Sequence, residues 1–414
     1  MKKTLMTILV SGLVLASCSK QETKTDNPLL QKWDTSFETA PFEKIKVEHY
    51  LPAFEAAMEE HNKEIQAIID NAEAPTFDNT IAALDYAGET LSKVAGVFFN
   101  MMAANTSEEL QKVNEEVGPM MATHSDNISM NADLFAKIKK VYDAKDSQKY
   151  TGEQLALLEK TYNKFVRSGA LLDAAKQEEL RKVNAELTKV EAKFDANLLK
   201  ESKAYQLVID KEENLKGLPQ GEIEKAAALA KEKGKEGKWI FTLDNPSFMP
   251  FVTYADNRDL RKEIFNARVN RCNNGGETDN NALVAQMAEL RAQKAQILGY
   301  ETFAHYQLEE RMAKEPKAVF SLLENLLSYS VKVAKEEAKE FQTLLSKDVP
   351  GATLEAWDMY YYAEKVRQQK YNFDAELTRP YFEINNVRQG CFDVLTKLYG
   401  ISFTERKDVS VYAE

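Results

Sequence analysis

His305 and Glu309 stand four residues apart in "HYQLEERM", the spacing that brings two side chains to one helix face where they could share a metal ion. Two ligands do not make a site, because a catalytic zinc takes three protein ligands and keeps a fourth position open. Leu308 and Met312 share that face, so His305 is expected to pack rather than ligate. His61 lies on the apolar stripe Phe54, Met58, Ile65 and Ile68 and is expected to be a packed core histidine. His49 follows Glu48 at the entry to the same helix, where a capping or hydrogen-bonding role is expected. His124 sits in a polar stretch without evident partners. The acidic pairs Glu59-Glu60 and Glu309-Glu310 fall on charge-rich helices and read as solvated. No His-Glu-x-x-His, Gly-x-Ser-x-Gly, Cys-x-x-Cys or Gly-x-Gly-x-x-Gly occurs. "GKEGK" lacks the Gly-Lys-Ser/Thr ending and the preceding strand of a phosphate loop. No catalytic residue and no metal ligand is therefore assigned within this chain.

One segment is unusual without being reactive. "WDMYYYAEKVRQQKYNFD", Trp357 to Asp374, holds one Trp, four Tyr and one Phe. On a helix Tyr360, Tyr361 and Tyr362 lie about 100° apart and cover more than half the circumference. Such a helix is either wedged between others or turns an aromatic face to a cleft.

The elements that must position these residues are nearly all helical. Gly (16) and Pro (11) are sparse over 414 residues, and 44% hydrophobic content suffices for a large core. The net charge of −11, with no basic block, argues against a nucleic-acid partner. A helix is expected to start at Asp78-Asn79 and to run through Ile81, Leu84, Leu91, Val94 and Phe98. A long amphipathic pattern extends from Gly152 to about Lys203. "AYQLVID" (204–210) and "KWIFTLD" (238–244) alternate like strands and predict a small β-ribbon around a helical insert. "VLTKLYGISFTERKDVSVY" reads as a helix followed by a strand-like tail. The fold class expected is mainly α, with that ribbon near 204–244.

The N-terminus "MKKTLMTILVSGLVLASCSK" has a basic start, an apolar run too short for a comfortable membrane span, and small residues before a cysteine. Leu15-Ala16-Ser17-Cys18 resembles the bacterial lipoprotein box, which makes Cys18 the lipid-attachment residue. The expectation is export and lipid anchoring to a bacterial membrane, with residues 19–30 as a polar tether. Cys272 and Cys391 carry no disulfide framework signature and are expected to be free, largely buried thiols.

Several stretches carry a wider resemblance. "PFEKIKVEHYLPAFEAAM", "TFDNTIAALDYAGETL", "LLEKTYNKFVRSGA" and "WIFTLDNPSFMPFVTYADNRDLRKEIFNARVNR" occur in that order. "LVAQMAELRAQKAQILGYETFAHYQLEERMAKEP" and "WDMYYYAEKVRQQKYNFDAELTRPYFEINNVRQG" follow. Together they resemble the thimet oligopeptidase family of zinc metallopeptidases, in its bacterial dipeptidyl carboxypeptidase branch, from about Asn27 to Tyr412. The resemblance implies a large multi-helix body forming part of a channel, likewise mainly α. It implies short peptides as substrates and zinc held by a His-Glu-x-x-His helix and a glutamate on the next helix. In the family that helix comes some tens of residues beyond position 414, so no zinc ligand, general base or transition-state donor is carried onto a residue here. The domain expectation is a signal peptide over 1–18, the tether over 19–30 and an N-terminal helical domain over 31–230. From 231 to 414 follows the beginning of the catalytic region, stopping before the zinc motif. The function expected of the full-length protein is removal of C-terminal dipeptides or cleavage of short oligopeptides, by a monomer. The chain alone is expected to be inactive and to bind no zinc. The alternative reading is a non-enzymatic, membrane-anchored helical lipoprotein that binds peptides or acts as a scaffold.

Overall fold

The structure is a computed structural model, and it describes residues 26–373 and 375–413. The described chain is mainly α, with fifteen α-helices and one two-stranded antiparallel ribbon. It divides into two compact units, each assembled from separated stretches of sequence.

Among the described residues the first unit comprises 26–117, 136–158 and 406–413. Its helices are α1 (Tyr50–Asp70), α2 (Ala83–Tyr86) and α3 (Glu89–Ala104), with parts of α4 (Glu108–Ser129), α5 (Ala132–Asp143) and α6 (Gly152–Arg167). The stripe read from sequence on α1 buries Phe54, Met58, Ile65 and Ile68. Phe98 of α3 meets Tyr50 and Phe54 edge-on, with centroids 5.1 and 5.4 Å apart. The expected helix from Asp78-Asn79 to Phe98 is broken in two. Thr76 is the cap, exchanging hydrogen bonds with Asn79 (3.2 and 2.8 Å) ahead of a π-turn over Phe77–Ala82. The chain then turns at Gly88, whose φ is +80°. A Cβ there would lie 2.9 Å from the His61 ring, so the close approach of α1 demands glycine.

The strand-like tail is not a strand. Residues 401–413 hold no regular structure, and where they meet the start of the chain they do so through side chains. The Ser36 hydroxyl donates to Asp408 (2.7 Å), the Glu43 N–H donates to the Ser410 hydroxyl (3.3 Å), and Phe42 sits edge-on to Tyr412. Alternation makes a strand only where a backbone ladder is available to pair with.

The second unit comprises Gly118–Phe135 and Glu159–Glu405. The long pattern from Gly152 to Lys203 also divides, because Gly169 (φ +98°) ends α6 and the Asp173 carboxylate caps α7 (Ala174–Ala204) through the Lys176 N–H, 2.9 Å away. The predicted ribbon is present: β1 (Leu207–Ile209) pairs antiparallel with β2 (Trp239–Phe241), in register Leu207 with Phe241. Three-residue strands are marginal by themselves. These are held by α8 (Gln220–Glu232), α9 (Asn245–Tyr254) and α10 (Arg258–Val269) in a core that includes Leu215, Phe248, Phe251 and Ile264. Next, α11 (Asn281–Ile297) packs Leu290 against Val183, Leu187 and Val190 of α7. The remaining helices are α12 (Phe303–Leu308), α13 (Pro316–Asp348), α14 (Met359–Tyr371) and α15 (Ile384–Tyr399).

Helices α13 and α15 are not buried as their composition demands. Of the 33 residues of α13 only Phe341 and Leu345 are buried, and on α15 none is. Phe320, Leu323, Leu327 and Val331 form an open stripe on α13, more than half exposed at the first three. Ile384, Val387, Val394 and Leu398 form another on α15. Among the described residues no helix is long and apolar enough to cross a membrane.

Candidate functional site

The aromatic segment is wedged, at one end, into the second unit. Glu355 and Asp358 cap its start, the Asp358 carboxylate accepting from the Glu355 N–H at 3.1 Å. Asp358 is fully buried (0% exposed) and cannot stand there without compensation. Arg258 supplies Nε and Nη2 (3.0 and 2.7 Å), and the buried Arg261 adds Nη2 at 3.2 Å. The Asp358 hydrogen bonds hold the Arg258 guanidinium above its ordinary range, against an opposing effect of burial. The Arg261 guanidinium lies over the Tyr361 ring, 3.9 Å from its centroid, and donates to the Ala255 carbonyl at 2.7 Å.

The Tyr361 hydroxyl donates to Asp256 at 2.8 Å. Asp256 is itself fixed by a turn, its N–H donating to the Lys216 carbonyl (2.8 Å) beside Gly217. A Cβ at Gly217 would come within 2.3 Å of the Tyr254 carbonyl oxygen, and its φ of +89° independently favours glycine. Tyr361 and Tyr362 join Phe341 and Leu345 in a buried cluster, while Tyr360 and Tyr371 remain exposed. The aromatic run thus serves as framework, and nothing within it is poised as a nucleophile.

The phenols give this framework a pH signature. Burial, then the neighbouring Asp348, pushes Tyr362 up to about 12. Tyr361 rises further, through burial and then Asp256. A phenol whose folded pKa is raised keeps its proton where the unfolded chain, near pH 10, has lost it. Its contribution is complete below pH ~10 and disappears as pH rises toward 12. Chemical denaturation midpoints measured from pH 8 to 11.5 should therefore fall above pH ~10, less steeply in Tyr362→Phe. A flat profile over that range would show that these phenols ionise alike in both states.

Each histidine has a structural place. The His49 Nδ1 accepts from the Lys46 N–H at 3.0 Å, the capping role expected. His61 is half-buried against Gly88. His124 is not stranded in a polar stretch: it is buried and in contact with neighbours, at a seven-residue interval after Leu110 and Val117 on α4. His305 does not pack as expected. Its side chain is 36% exposed and its Nδ1 lies 2.9 Å from the Thr302 hydroxyl. The reason is that α12 ends at Leu308, so Met312 falls past the helix and is wholly exposed.

Glu309 is engaged elsewhere, accepting from Arg167 and from the Tyr300 hydroxyl (2.6 Å), so His305 and Glu309 are not a ligand pair. The Glu59-Glu60 pair is solvated; Glu309-Glu310, though exposed, is drawn to Arg167. Cys272 is buried, with its thiol pushed up by burial and then by Glu201, whereas Cys391 is exposed on α15, against expectation, because that helix lies uncovered. Cys18 lies outside the described residues. Among the described residues no group of three or more His, Cys, Asp or Glu stands where it could hold a metal ion, so the donors present do not fit zinc. The sequence reading missed Arg261, Arg258 and Asp358. The available signal was Arg261 itself, falling between Leu260 and Ile264 on α10 where a charge needs a buried partner.

Residues 251–414 match the family model Peptidase family M3. The chain is thus similar to the M3 peptidases over that stretch. It is 34% identical over 389 residues to the dipeptidyl carboxypeptidase of Escherichia coli K12, covering 94% of this chain and 57% of that protein. Oligopeptidase A of the same organism is 28% identical over 390 residues (93% and 57%). The organellar oligopeptidase A of Arabidopsis thaliana is 29% identical over 393 residues (93% and 49%). The chain spans little more than half the length of the bacterial relatives and about half of the plant one. The M3 resemblance thus runs from the first unit into α15.

Proposed function

We propose that this chain is the framework portion of a zinc-dependent M3 peptidase that removes C-terminal dipeptides from short peptides or cuts short oligopeptides. The reading rests on the 34% identity to a dipeptidyl carboxypeptidase across 94% of the chain. The open apolar stripes of α13 and α15 support it, since contiguous apolar surface on a soluble body is normally covered by further polypeptide. Zinc and its ligands are assigned to sequence outside these 414 residues. When bound, zinc would supply the Lewis acid and the activated water of peptide hydrolysis. The chain's own part is to hold α14, through the Asp358 network, as a rigid wall.

The test is the coding frame beyond codon 414. It should continue into a His-Glu-x-x-His motif, and the extended protein should release dipeptides from N-acylated pentapeptides in a chelator-sensitive manner. A stop codon at 415 with no such motif downstream would favour the scaffold reading. We also propose lipid anchoring through Cys18. Cys18→Ala should move the protein from the membrane to the soluble fraction, since several acyl chains at ~0.8 kcal/mol per buried methylene are the only anchor invoked. Undiminished membrane association of that variant would refute the anchor.

A further inference from the structure

We propose that a basic cleft in the second unit, between the end of α6 and the turn after α12, binds a soluble compound carrying two adjacent phosphates. The cleft has a volume of about 650 Å³ and is lined by Lys160, Asn163, Lys164 and Arg167 on one side and Tyr300, Glu309, Glu310 and Lys314 on the other. Lys160, Lys164 and Arg167 follow one another at i, i+4 and i+7, so their heads converge along one face of α6.

The charges are not balanced within the cleft. Arg167 is committed: it donates to Glu309, to the Tyr306 carbonyl (2.8 Å) and to the Tyr300 hydroxyl (3.3 Å), and its Nε lies 3.4 Å from Glu310. That one guanidinium gathers both carboxylates of the opposite wall. Lys160 and Lys164 are left without an ion pair among the described residues. Elsewhere Lys63, Lys139 and Lys182 each find a carboxylate one turn away. The third ammonium, Lys314, is held at the rim by a long hydrogen bond to the Glu309 carbonyl (3.4 Å), and its own backbone takes a φ of +64°.

Three ammonium groups and an amide facing one space form a multidentate donor set. Lysine meets phosphate as a point charge, without the planar match that arginine offers a single carboxylate. Two neighbouring phosphates present enough oxygens, and enough charge, to engage Lys160 and Lys164 together with Lys314. A single monoanionic carboxylate would leave most of these donors unused. The site is separate from the aromatic framework and does not depend on peptide hydrolysis.

The experiment is calorimetric titration of the full chain with pyrophosphate at low ionic strength, where surface fields are least screened. Saturable binding is expected, at one site per chain and tighter than for inorganic phosphate. Lys160→Ala with Lys164→Ala should weaken it about tenfold or more, as expected for the loss of two charge-assisted contacts. Lys182→Ala with Lys189→Ala, which removes the same charge from α7, should leave it within twofold. All four positions are exposed, so circular dichroism should be unchanged in both variants. Absence of saturation in the unaltered chain, or equal weakening by the two double variants, would overturn the site in favour of diffuse electrostatic attraction.

Discussion

Replacing Asp358 by alanine should cost the second unit about 3–5 kcal/mol, the loss expected when one member of a buried ion pair is removed. Asp358 is fully buried and Arg261 is 1% exposed, so solvent does not screen their contact. Without the carboxylate, Arg261 keeps its charge in the interior with only the Ala255 and Asp256 carbonyls as acceptors. Arg258, 27% exposed, turns more easily to water and contributes less to the loss. The alanine also removes the acceptor for the Glu355 N–H, so the start of α14 should fray.

Urea denaturation followed by aromatic fluorescence reads this as a lower midpoint. Removing both charges together, Asp358→Leu with Arg261→Met, should recover most of the loss, because well-packed apolar replacements of a buried pair are often neutral or better. A loss below ~1 kcal/mol for Asp358→Ala would show that the network does not hold α14 in place.

That network also marks the boundary of what the sequence revealed. Repeats of three and four placed α1, α3 and α7, because a helix records its buried face in local spacing. Alternation in "AYQLVID" and "KWIFTLD" placed the ribbon at 204–244. Helix breaks were less legible. Gly88 looks tolerable within a helical run until His61, twenty-seven positions earlier, comes to fill the space of a side chain. The tail after Gly400 alternates, but strand formation depends on a partner that local sequence does not specify. Least legible were the contacts across about a hundred residues, Arg258 and Arg261 with Asp358 and Tyr361 with Asp256. No periodicity encodes a pairing at that separation. The histidines mislead in the opposite sense, because His305 and Glu309 have metal-ligand spacing and the fold commits each to a different partner.

The chain by itself should be strongly helical by circular dichroism and should hydrolyse no peptide, with or without added zinc. Helical content follows from amphipathic faces that pack within each unit, such as Val183, Leu187 and Val190 against Leu290. The expected inactivity rests on the proposed framework reading, in which the zinc ligands lie in other sequence. An amide without an activated water or Lewis acid reacts at its uncatalysed rate, at least about 10⁶-fold below an enzyme. The same chain should bind a hydrophobic dye more strongly than a globular protein of its size, because the α13 stripe faces solvent. Leu323→Lys with Leu327→Lys should lower that binding and leave the helical signal intact, since both side chains are more than half exposed and stabilise little. Unchanged dye binding would mean that the fluorescence arises elsewhere and that α13 is not the uncovered surface. Chelator-sensitive hydrolysis by the highly purified 414-residue chain would overturn the framework reading itself. His305, freed from Thr302, and Glu309, freed from Arg167, would then have to meet a third ligand in a conformation unlike this one.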